Sequence, residues 1–191
     1  MKLDIKMANK IYSYSAFYVA EPFSTSNLSA YATRDFIYYN MLKAWKSEDS
    51  SFPFYDAHGT TYSVRDSSDW DLTLKPRLHQ RLQNSKNIIL FLSSCTKQSR
   101  ALKEEIVYGV GELGLPVIVV YPEYKNKESI AEKGHIKQVI RDLWDNIPTF
   151  HDLMGTVPTI HLPMSKVLLT KALKDPDFTI QNKDKNGRWF Y

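Results

Sequence analysis

Two apolar runs constrain this chain more than any other feature: "NIILFLSS", starting at Asn87, and "LPVIVVY", starting at Leu115. Both are nearly continuous in hydrophobicity and rich in β-branched residues. Both are far too short to cross a membrane. Such runs belong to strands buried on both faces, as in a parallel sheet covered by helices. Between them, "SRALKEEIVYGVGEL" places Leu102, Ile106, Val110 and Leu113 on one helical face. Strand, helix and strand in that order predict a right-handed crossover unit.

The same alternation extends along the chain. "KIYSYSAFYVA" predicts a first strand over Ile11–Ser15. Pro22 and a Ser/Thr/Asn cluster then break the pattern. A helix follows from Asn27, its expected N-cap, to Lys46, with Leu28, Tyr31, Ala32, Ile37, Tyr38, Met41, Leu42 and Trp45 at roughly helical spacing. "FPFYDA" reads as a short second strand. A helix runs from Asp71 or Leu72 to Ser85, and Pro76 places its first turn near Leu74 or Lys75. "NKESIAEKG" reads as a short helix or loop, "IKQVIRDLWDNI" as helix, "TVPTIHLP" as a fifth strand and "SKVLLTKALKD" as a final helix. The tail is polar until Trp189 and Phe190; it is either frayed or pinned by them. The expected fold is α/β and flavodoxin-like: a mainly parallel, five-stranded central sheet with helices on both faces. The chain reads as a single domain over 1–191, with a core of about 10–175 and a tail of 176–191.

Composition narrows the function classes. The net charge is +4, from 25 basic and 21 acidic side chains that are interspersed rather than segregated. No basic stripe tracks a phosphate backbone, which argues against nucleic acid. Cys95 is the one cysteine, so no internal disulfide forms. The N-terminal residues lack the apolar core of a signal peptide. A soluble, cytoplasmic protein is expected, without membrane association.

"GVGELG", from Gly109 to Gly114, satisfies the dinucleotide-binding pattern as text. That mechanism requires a strand before the glycines and a helix after them. Here the order is reversed. Gly114 is expected to cap the helix, and Gly109 and Gly111 to allow close packing on the sheet. The strand ending in Ser93 and Ser94 lacks a phosphoacceptor aspartate. The histidines at 58, 79, 135, 151 and 161 have no zinc-like spacing, so no metal is expected. Two adjacent acids remain. Glu105 sits beside Ile106 on the apolar face, roughly 9 Å from the start of a helix that begins at the carboxyl rim of the sheet. Glu104 is turned a further ~100° toward solvent.

The stretch "LKPRLHQRLQNSKNIILFLSSCTKQSRALKEEI" resembles a Toll/interleukin-1 receptor (TIR) domain. Leu82 and Ser85 stand where that family has an "I-x-x-S" phrase. Leu92 and Ser93 close the strand as its "L-S" does, and Ser99 to Glu105 match "S-x-W-C-x-x-E". "KIYSYSAF" is similar to the family's opening "F-I-S-Y-S". Ala101 and Leu102 depart from the Trp and Cys of the phrase.

The resemblance implies an enzyme that cleaves NAD at the nicotinamide–ribose bond, with NAD as substrate and no cofactor. It implies Glu105 as the catalytic carboxylate and Ser15, Ala16 and Phe17 as nicotinamide-pocket candidates. Asp56, His58, Trp70 and Asp71 are candidates in and beside the loop used for substrate access and self-association, although Asp71 could simply cap the following helix. The full chain is similar to small TIR proteins of anti-phage defence. Their cyclic ADP-ribose-type signal diffuses to a separate effector protein. A non-catalytic TIR interaction module is the alternative, and another flavodoxin-like nucleoside-processing enzyme is a third.

Overall fold

The computed structural model describes residues 14–17, 32–57, 69–180 and 187–190. Its centre is a parallel five-stranded sheet in the order β1 (Tyr14–Phe17), β2 (Ser85–Phe91), β3 (Val117–Tyr121), β6 (Pro158–Pro163) and β7 (Gly187–Phe190). The two apolar runs become β2 and β3, paired from Ile88↔Val117 to Phe91↔Val120. All five residues of β3 are buried, which accounts for its lack of polar alternation. Pro116 precedes β3; its carbonyl accepts from the Ile88 amide at 2.9 Å, so the missing N–H costs the ladder nothing.

The expected second strand does not form. Its segment makes one parallel bridge, Ser15↔Asp56, on the outer side of β1. Phe52 and Phe54 are buried anchors instead. The Ser15 amide donates to the Tyr55 carbonyl and the Ala57 amide to the Ser15 carbonyl. Pro53 has no donor to extend it. The sheet still has five strands because the tail supplies one. Gly187–Phe190 pairs along Pro158–His161 of β6, and Trp189 meets Phe178 edge-on at 5.8 Å. Of the two alternatives for the tail, the pinned one is observed. With the Asp56 bridge counted, the order is flavodoxin-like, extended by β7.

Helices cover both faces. On one, α1 (Ala32–Glu48) and α7 (Lys166–Lys174) enclose a core with Leu42, Phe91, Ile118, Leu162 and Leu169. Tyr38, Met41 and Trp45 pack there as the spacing predicts, but Ile37 is 57% exposed. On the other face lie α2 (Lys75–Gln83), α3 (Arg100–Ile106), α5 (Gln138–Trp144) and α6 (Pro148–Leu153), around Leu82, Leu90, Ile106, Val119, Trp144 and Phe150. Each such fully buried side chain contributes about 1.5–3 kcal/mol of transfer free energy. A one-turn helix, α4 (Lys127–Ile130), leads into a hairpin of β4 (Ala131–Glu132) and β5 (His135–Ile136). Lys133 and Gly134 both take positive φ at its tip, as a tight two-residue turn requires.

The segments that frame the acids differ in detail from their predicted form. A π turn over Trp70–Leu74 precedes α2, and another over Val107–Glu112 continues α3. Pro76 lies in the first turn of α2, as anticipated. Asn27, Leu28, Tyr31 and His58 lie outside the described residues.

Candidate functional site

Ser99 starts α3 by accepting a hydrogen bond from the Leu102 amide at 3.1 Å, the usual role of a serine N-cap. From there one stripe of the helix, Leu102, Glu105 and Ile106, is buried. The facing stripe of α2 is Leu78, Arg81 and Leu82. The two helices are drawn close along these stripes. Gly109 makes this approach feasible: a Cβ there would stand 2.8 Å from the Ile88 Cδ1 atom and 3.3 Å from Leu82 Cδ2. Gly114 ends the segment at φ +66°, so Gly109 packs and Gly114 caps as the order of elements required; Gly111 does not pack on the sheet but is exposed, a Cβ there meeting only Leu153 of the neighbouring helix at 3.6 Å.

Within this contact the Arg81 guanidinium donates through Nη2 to Glu105 Oε1. Both side chains are nearly sealed, 7% and 6% exposed. Burial raises the Glu105 carboxyl from its ordinary 4.5 to about 7, against the opposing pull of the Arg81 charge and hydrogen bond. The Arg81 Nε donor is buried with no partner among the described residues. A helical glutamate exposed to water is therefore not what the structure contains. It contains a buried carboxyl, its pKa raised by burial, beside a buried cation.

Glu104 points elsewhere. It is 21% exposed, receives Lys75 Nζ at 3.0 Å and lies 2.7 Å from His79 Nε2. His79 stacks on Tyr108 at 3.5 Å, and Gln83 donates to the Tyr108 hydroxyl. Burial raises the Glu104 carboxyl, but the His79 and Lys75 hydrogen bonds and charges outweigh it and hold the group below its ordinary value.

The remaining candidates divide by place. Ala16 is buried in the same core cluster as Leu78, Leu82, Leu102 and Ile106. Ser15, one position away, projects to the opposite face by strand alternation. Its hydroxyl is buried without a hydrogen-bond partner among the described residues. Phe17 ends β1 opposite Ile89. Asp56 accepts from the Tyr39 hydroxyl of α1. Burial first, then the Asp56 hydrogen bond and charge, push the Tyr39 phenol well above its ordinary range, while the Arg81 charge pulls it down. Arg81 thus acts electrostatically on both Glu105 and Tyr39. Trp70 and Asp71 gather at the start of α3. The Arg100 guanidinium lies 4.6 Å from the Trp70 ring centre, and its Nη2 is 3.7 Å from Asp71 Oδ2. The cap of this segment is Asp69, which accepts from the Leu72 amide at 2.7 Å, rather than Asp71.

Arg81 was missed by sequence reasoning. Its signal was available: positions 78, 81 and 82 form a helical i, i+3, i+4 stripe, and an arginine within such a stripe calls for a buried counter-charge.

A flavodoxin-like parallel sheet with the serine-capped phrase ending in Glu105 on its third helix defines a TIR-like α/β domain. A family model described as "Thoeris protein ThsB, TIR-like domain" matches residues 13–127. The chain belongs to that family, a Thoeris-type TIR protein. No described helix is long and apolar enough to cross a membrane.

Proposed function

We propose that this protein consumes NAD, cleaving the nicotinamide–ribose bond and forming a cyclic ADP-ribose-type signal for a separate effector in anti-phage defence. The observation that carries this reading is Glu105 itself. It occupies the glutamate position of the TIR phrase and is buried on the sheet, with a carboxyl raised to about 7.

Cleavage breaks the bond between the ribose anomeric carbon and the nicotinamide ring nitrogen. The electron pair leaves with nicotinamide, whose positive charge is thereby neutralised. Positive charge then builds on the ribose, in an oxocarbenium-like transition state. A carboxylate beside the ribose hydroxyls orients them and stabilises that charge. The anomeric carbon is captured either by water, giving ADP-ribose and a proton, or by a nucleophile within the same molecule, giving a ring and a proton. In this reading Ser15, Ala16 and Phe17 at the end of β1 would meet the nicotinamide, and Asp56, Trp70 and Asp71, on either side of the loop between them in sequence, would meet substrate as it enters.

The test is nicotinamide release from NAD by the purified wild type and by Glu105→Gln. Product chromatography from cells expressing each under phage challenge covers a protein that needs a trigger. Loss with Glu105→Gln alone supports the assignment, and equal turnover by both variants refutes it.

A non-catalytic interaction module is the second reading. Two observations favour it: Ala101 and Leu102 replace the Trp and Cys of the phrase, and Glu105 is engaged by Arg81. It predicts association with partners or with itself that is indifferent to Glu105→Gln.

A further inference from the structure

Arg81 has no place in the reading above, yet it makes the one charged contact to Glu105 among the described residues. It reaches across from α2, a different helix. Both residues occupy core positions of their stripes, so neither charge has water to fall back on. An ion pair at such a site carries a heavy desolvation cost, and an apolar pair of similar volume would commonly serve stability as well or better. The pair is also under-satisfied: Arg81 Nε is buried and unpartnered among the described residues. A purely structural clamp of this kind, bidentate by preference, would use the fork of the guanidinium fully.

We propose, building on the assignment of Glu105 to the NAD chemistry, that Arg81 is the positioning residue for Glu105: its guanidinium fixes the carboxylate between α2 and α3 and favours its charged form. The groups around the pair support this division of labour. From α3 itself, Glu104 is turned outward and compensated by Lys75 and His79. From α1, Tyr39 is hydrogen-bonded to Asp56 and feels the Arg81 charge. None of these neutralises Glu105. Burial alone drives its carboxyl toward the protonated form, in which it stabilises an oxocarbenium-like ribose poorly; Arg81 is the opposing influence.

The test uses the full chain and two readouts. Carboxyl-carbon NMR titration of glutamate-labelled protein, with Glu105→Gln to assign the signal, requires no substrate. Arg81→Gln and Arg81→Met remove the charge, the second keeping apolar bulk so that at least one neutral variant folds; thermal melting checks this. The Glu105 midpoint is expected to rise by about one pH unit or more in the neutral variants, a tenfold drop in ionised fraction on the acid side of the midpoint. It is expected to stay near the wild-type value in Arg81→Lys. In NAD turnover the acid limb of kcat should move up with it, KM changing less, and Arg81→Lys should restore the profile. A midpoint unmoved in the neutral variants, or moved equally by Arg81→Lys, overturns the proposal. Full turnover by Glu105→Gln instead removes the assignment on which it rests, so the two failures are distinct.

Discussion

Glu104 and Glu105 are neighbours in the chain and opposites in the structure. The outer region, Lys75, His79, Glu104, Gln83 and Tyr108, is a partly exposed lattice of ion pairs, hydrogen bonds and a ring stack. The inner region, Arg81 and Glu105, is a sealed pair with a donor to spare. A ~100° step around one helix separates them. The outer network lowers its carboxyl's pKa and the inner burial raises its neighbour's. The comparison teaches that spacing relative to the buried stripe, more than residue type, decides whether an acid joins a surface network or is sealed with a single cation.

The largest expected effect breaks the inner region alone. Glu105→Gln should lower NAD cleavage by about 100-fold or more, the scale on which removing a positioned electrostatic or acid–base group acts. Nicotinamide release measures it, and circular dichroism should show the fold retained. Next comes the spacing that brings the two helices together. Gly109→Val should cost about 1–3 kcal/mol of stability in denaturant unfolding, since even a Cβ meets Ile88 at 2.8 Å. Unchanged unfolding would mean that Ile88 yields freely and the helices are not tightly set.

A pH series of melting temperatures separates the regions by sign. Glu105 has a raised pKa in the fold, so between 4.5 and about 7 the native state holds a proton the unfolded chain has released. Its contribution is full below 4.5 and is lost as pH rises toward 7, by a few kcal/mol at most. Glu105→Gln should remove that slope. Glu104 has a lowered pKa, so its contribution is present above 4.5 and is lost as pH falls through its folded value. The smallest effect is Glu104→Gln at neutral pH: under about 1 kcal/mol, as expected for a half-exposed pair, with turnover within about threefold of wild type. A loss matching that of Glu105→Gln would abolish the distinction between inner and outer acids.

Much of this was legible from residues. β2 and β3 announce themselves because burial on both faces leaves no polar alternation. Ser99 and Gly114 mark the ends of their helical segment because cap geometry favours those residues. Glu105 next to Ile106 could be placed against the sheet by rotation alone. What escaped depends on contacts between distant segments. "FPFYDA" has strand composition, but Pro53 and the burial of Phe52 and Phe54 leave it one bridge. Gly187–Phe190 pairs with β6 only once the sheet exists to receive it. α6 was not predicted at all, and Ile136 was assigned to a helix although it closes a hairpin. Arg81 lay in view on an apolar stripe, but its partner could be named only when α2 and α3 were set side by side. For the TIR phrase, likeness supplied the role of Glu105; spacing supplied only its face.

The C-terminal strand has a consequence for how copies of this chain can meet. An unpaired parallel strand offers its amides and carbonyls to any extended segment nearby. By lying along β6 from Pro158 to His161, Gly187–Phe190 occupies that template from within the chain. A neighbouring copy therefore finds no vacant ladder on β6 to extend. Trimming those four residues would move the margin of the sheet from β7 to β6 and bare the Pro158–His161 ladder that the chain now fills itself.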